Sequence, residues 1–81
     1  MTKELVFEKV QEIFRDIFDD NTLVIHGSTN SSNIEDWDSL NHINLVVAIE
    51  NDLEIKFDLD ELSTLKDVSS MIDLILIKLN N

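Results

Sequence analysis

Cysteine, proline and tyrosine are absent from this chain of 81 residues, glycine occurs once, at Gly27, and only 6 residues are lysine or arginine. Without cysteine there is no disulfide framework, no thiolate metal site and no thiol nucleophile, and two histidines, His26 and His42, imply no metal centre by themselves. The scarcity of cations is as informative. Against 17 Asp and Glu it leaves a formal charge of −11, which repels nucleic-acid phosphates and anionic lipid and favours a basic protein surface as partner. Long apolar runs are also missing: unbroken ones such as Leu45 to Ile49 and Leu74 to Ile77 are far short of a membrane span, and Met1-Thr2-Lys3-Glu4-Leu5 carries no signal-peptide run. The expectation is a cytoplasmic monomer with neither nucleic acid nor membrane as partner.

What is present is enough apolar residue, 43%, for a folded core. A domain of this size buries about 60 to 65% of its extended-chain surface, which supports one compact core but hardly a deep catalytic cleft as well. No repeat, low-complexity tract or linker divides residues 1–81, so a single domain is expected. From Thr2 to Phe18 apolar residues recur at Val6, Val10, Ile13 and Ile17 while Lys3, Glu4, Lys9, Glu12 and Asp16 take other faces, the pattern of an amphipathic helix with Thr2 as cap. Residues 19–37 are polar around one short cluster, Leu23 to Ile25. They form either a concealed strand or, as favoured, a long loop pinned at Leu23, Ile25, Ile34 and Trp37. A second helix is expected from Asp38-Ser39 to about Asp52, with Leu40, Ile43 and Val47 at helical spacing. Asp58 heads a short turn of helix, and a last helix is placed from Ser63 or Thr64 with Leu65, Val68, Ile72, Ile75 and Leu79 as its stripe. The fold class is all-α: a four-helix bundle of three longer helices and one short one, with a long loop between the first two.

The most informative stretch is Glu35-Asp36-Trp37-Asp38-Ser39-Leu40-Asn41-His42-Ile43. Its serine falls in the first turn of a helix directly after a long loop. There a hydroxyl is exposed on a firm scaffold, near free backbone amides whose partial positive charge suits a phosphate ester on that oxygen. The same position also suits a plain capping or first-turn serine. Ser39 and His42 can also be drawn as a nucleophile and base, but no oxyanion hole, third orienting group or cleft is evident for them. No calcium-loop spacing is present.

Asp38-Ser39-Leu40, followed by Ala48-Ile49-Glu50 and Asp52-Leu53-Glu54-Ile55, resembles the acyl carrier protein family and its peptidyl carrier relatives. The resemblance covers nearly the whole chain in length, acidity and order of helices. It implies a carrier rather than an enzyme: Ser39 would receive a 4′-phosphopantetheine arm from coenzyme A, framed by Asp38 and Leu40, and the arm's thiol would hold acyl or aminoacyl groups as thioesters. A chain without a thiol of its own would thereby import one. The implied partners are a phosphopantetheinyl transferase and acyl-loading, acyl-transfer or condensing enzymes with basic surfaces. The surface expected to meet them comprises Trp37, Asn41, His42, Asn44, Val46, Glu50 and Asp52, with His42 exposed and Trp37 serving also as a loop anchor. Ile43, Val47, Phe57, Leu62 and Ile72, ordinary core in the first instance, are the residues that would shelter a fatty chain. Between Asp16 and Glu61 lie 12 acidic residues and a single basic one, Lys56, a field that would steer basic partners. The Asn41-His42-Ile43-Asn44 segment lacks the acidic residues that usually follow the serine, and Trp37 stands where a small residue is common. Both departures resemble specialised stand-alone carriers more than those of housekeeping fatty acid synthesis. The competing reading is a small acidic helical adaptor without a prosthetic group.

Overall fold

A computed structural model describes residues 1–80. Four helices follow in order: α1 (Lys3–Ile17), α2 (Ser39–Leu53), α3 (Leu59–Leu62) and α4 (Val68–Leu79). Each longer helix starts at a residue whose side-chain oxygen accepts an otherwise unpaired first-turn amide. Thr2 takes Leu5 N–H at 3.2 Å, Asp38 takes Asn41 N–H at 2.8 Å and Asp67 takes Ser70 N–H at 2.8 Å. In α3, Glu61 reaches back to accept the Asp58 amide at 2.7 Å. The end of α2 is marked by Glu54 in the left-handed region, φ 56° and ψ 47°, where glycine is the usual residue.

α1 packs against both α2 and α4. Its buried stripe is Val6, Val10, Ile13 and Phe14, facing Leu45, Val46, Ile49 and Leu53 of α2 and Val68, Met71, Ile72 and Ile75 of α4. Each such aliphatic side chain contributes about 1.5–3 kcal/mol when fully buried. The α1–α2 connection is a pinned loop and not a strand, its only ladder contact among the described residues being an isolated bridge between Asn30 and Asp67. Ile25 and Trp37 are buried and Leu23 and Ile34 half-buried, as expected for the pins. Polar ties complete it: Arg15 Nε–H donates to the Leu23 carbonyl at 2.8 Å, and the Gln11 side chain accepts the Ile25 amide at 3.1 Å.

Two expectations about the elements need correction. The last helix starts at Val68 and not at Ser63 or Thr64. The start is set by ties to the loop: Val68 N–H donates to the Thr29 carbonyl at 3.0 Å and Ser69 N–H to the Gly27 carbonyl at 2.9 Å, Asp67 bridges to Asn30, and Asp67 takes the cap. The second concerns the face of α2. Leu40, Ile43 and Val47, chosen for their helical spacing, are 68%, 55% and 47% exposed. The helix carries two apolar stripes, and the one led by Leu45 and Ile49 enters the core.

Candidate functional site

Ser39 is the first residue of α2 and its side chain is exposed. The loop delivers it through two tight turns, Trp37 N–H to the Ile34 carbonyl at 3.1 Å and Asp38 N–H to the Asp36 carbonyl at 3.0 Å. Asp38 caps the helix, so its carboxylate is already committed to the Asn41 amide beside the serine. Asn41 also returns an amide hydrogen to the Asp36 carbonyl at 2.8 Å and accepts one from Asn44 at 3.2 Å. The loop and first turn are thus one hydrogen-bonded unit.

Beneath the serine, Trp37 is 5% exposed and its ring meets Phe14 edge-on at 5.2 Å. Its indole N–H donates to His42 Nδ1 at 3.1 Å, and the two rings stack with centroids 6.1 Å apart. Because Nδ1 accepts, the imidazole proton sits on Nε2, which donates to the Leu62 carbonyl at 3.2 Å. One imidazole therefore joins the loop, α2 and the end of α3. A His42 with both nitrogens engaged is no base for Ser39, which removes the geometry a nucleophile–base pair needs.

A cleft of about 610 Å³ opens beside Ser39. Trp37, Ile43, Leu62 and Leu65 supply its apolar lining, and Ser31, Ser63, Asp38, His42 and Lys66 its polar lining. The structure places five of the residues expected at the partner surface differently from that expectation. Trp37 and Val46, each 5% exposed, are core residues and offer no surface. His42 is half-buried and not exposed. Glu50 is half-buried, its carboxylate accepting the Phe57 amide at 2.8 Å. Asp52 is exposed but faces Lys9 of α1 at 3.9 Å. Of the residues considered for sheltering a chain, Ile43 and Leu62 line the cleft, Ile72 is core, Val47 faces out and Phe57 packs under Lys78. The residues not anticipated at the cleft are Ser31, Ser63, Leu65 and Lys66. The first follows Asn30, whose bridge to Asp67 brings this part of the loop beside the start of α4.

A four-helix chain presenting an exposed serine at the capped start of its second helix, beside a partly apolar cleft, has the form of a carrier domain. Residues 8–75 match the family model described as phosphopantetheine attachment site. The chain is 33% identical over 82 residues to the acyl carrier protein of Petrotoga mobilis, covering 99% of this chain and 94% of the relative. It also superposes on the solution structure of the holo acyl carrier protein from Geobacter metallireducens with a TM-score of 0.86 and 41% identity, covering 93% of this chain and 86% of that one. The chain belongs to the acyl carrier protein family. It is a carrier and not an enzyme, and its prosthetic group is a covalently attached 4′-phosphopantetheine. The adaptor reading without a prosthetic group is not favoured. Among the described residues no helix is long and apolar enough to cross a membrane.

The residues present fit that group. An exposed serine offers an oxygen for the phosphodiester, and the neighbouring cleft has apolar surface for the arm's methyl groups and hydroxyls for its amides. When attached, the arm supplies the thiol that the chain itself lacks.

Proposed function

We propose that Ser39 is the attachment point, with Asp38 and Leu40 framing it, and that one domain spanning residues 1–81 presents the loaded arm to acyl-handling enzymes. The observation that carries this reading is the exposed Ser39 side chain on a rigidly capped helix start, opening onto the cleft. In the attachment step the serine oxygen forms a bond to the pantetheine-side phosphorus of coenzyme A. The pyrophosphate P–O bond breaks, the adenosine 3′,5′-bisphosphate leaves, and the hydroxyl proton passes to the phosphopantetheinyl transferase.

Partner docking follows from the outward face of α2. Leu40, Ile43 and Val47 form an exposed apolar stripe flanked by Asn44, while the carboxylates of Glu50 and Asp52 have partners within the chain. Contact with a partner is therefore mainly apolar on this face, and steering falls to the exposed Glu35 and Asp36 of the loop. This neutral, apolar face supports a specialised stand-alone carrier over a housekeeping fatty-acid-synthesis one.

Incubation with coenzyme A and a promiscuous phosphopantetheinyl transferase, followed by intact mass measurement, tests the reading. The expected result is the gain of one phosphopantetheine on wild type and none on Ser39→Ala. No gain on wild type, or an equal gain on the variant, overturns it.

A further inference from the structure

The cleft holds one cation, Lys66. Among the described residues three ion pairs form, Lys9–Asp52, Arg15–Glu12 and Lys78–Glu61, and Lys66 is in none of them. The other two lysines, Lys3 and Lys56, do not line the cleft. The backbone that carries Lys66 is fixed from both sides. Residues just after it are tied to the α1–α2 loop through Thr29 and Gly27, and Leu65 just before it is buried. The adjacent Asp67 spends its carboxylate on the Ser70 amide as the α4 cap. Ser39 and Asp38 line the same cleft, with Glu35 and Asp36 exposed on the loop that leads to them.

A phosphodiester on Ser39 therefore adds negative charge to the acidic side of a chain whose net charge is already −11. A compact ammonium on a flexible stem is suited to meet a phosphate as a point charge. We infer that Lys66 pairs with the phosphodiester of the arm on Ser39 and draws the arm across the cleft toward the α3–α4 connection, where Ile43, Leu62 and Leu65 receive its methyl groups. This rests on Ser39 being the attachment point. It gives the lysine a role that neither the fold nor helix capping requires: it fixes the direction in which the arm leaves the helix.

The test compares the apo and phosphopantetheine-loaded forms of wild type, Lys66→Gln, Lys66→Glu and the remote control Lys56→Gln by NMR. Loading wild type is expected to shift the Trp37 indole signal and the Leu62, Ser63 and Leu65 amides, with contacts from the arm's methyl groups to Ile43 and Leu65. Lys66→Gln reduces those shifts by about two- to fivefold, the factor an exposed ion pair supplies. Lys66→Glu reduces them further, added salt weakens them in wild type, and Lys56→Gln leaves them in place. Wild-type loading without any cleft response, or equal shifts in Lys66→Glu and wild type, overturns the assignment while leaving the attachment point intact. A chain that takes up no arm overturns both.

Discussion

The hydrogen bond from the Trp37 indole to His42 Nδ1 at 3.1 Å joins the site loop to α2, and a single substitution removes it while leaving an aromatic ring in place. Trp37→Phe keeps an aromatic ring against Phe14 and deletes the N–H donor. The loss is the cost of leaving His42 Nδ1 unpaired, which lies at the low end of about 1–3 kcal/mol because a half-buried imidazole still reaches water. The stacked geometry at 6.1 Å adds about 0.5 kcal/mol to the pair. A double-mutant cycle with Trp37→Phe and His42→Leu should therefore give a coupling of about 1–1.5 kcal/mol. Urea unfolding followed by far-ultraviolet circular dichroism reads it without relying on the fluorescence of the residue removed. Each kcal/mol also lowers Tm by about 4–8 °C in a domain of this size. A coupling below about 0.3 kcal/mol, the scatter expected of independent sites, would refute the link between loop and helix.

Three further perturbations address the rest of the fold. Glu54→Gly, at a left-handed backbone position, should stabilise the chain by about 0.5–1 kcal/mol in the same unfolding assay, and a loss would show that the α2 end does not strain that residue. Ile49→Ala should cost about 2–5 kcal/mol, whereas Val47→Ala should change stability by less than about 0.5 kcal/mol; the reverse order would place the wrong stripe of α2 in the core. The Asp67 carboxyl is held below its ordinary value of 3.8 by accepting the Ser70 backbone amide, and the Glu61 carboxyl below 4.5, first by the Asp58 amide and then by Lys78. Both groups bind protons more weakly folded than unfolded. Their stabilisation is thus complete above the ordinary values and drains away as pH falls from about 4.5 through the lowered ones. Asp67→Ala should lower stability by about 1 kcal/mol at pH 7 and give a shallower acid slope; an unchanged slope would contradict the cap.

The helices were legible because their caps and stripes are local. Thr2, Asp38 and Asp58 precede apolar residues at helical spacing, and Asp38-Ser39-Leu40 singled out Ser39 through its resemblance to the acyl carrier motif. What was not legible depended on contacts distant in sequence. α4 starts late because Val68 and Ser69 give their amides to the Thr29 and Gly27 carbonyls and Asp67 takes the cap, ties that helical spacing through Leu65 conceals. On α2 the residues Leu40, Ile43 and Val47 are as apolar as Leu45, Val46 and Ile49, so composition alone could not say which stripe the core would take. Lys66 carries no motif, and it lines the cleft in a segment that contacts distant in sequence, the Asn30–Asp67 bridge and the Thr29 and Gly27 bonds, hold against the loop.

The most direct test of the carrier assignment is fragment-ion mass mapping of the chain after treatment with coenzyme A and a promiscuous transferase. Ser39 should carry the phosphopantetheine in every modified molecule. Attachment at any other hydroxyl, such as Ser31 or Ser63 of the same cleft, or a chain that remains unmodified, would contradict it.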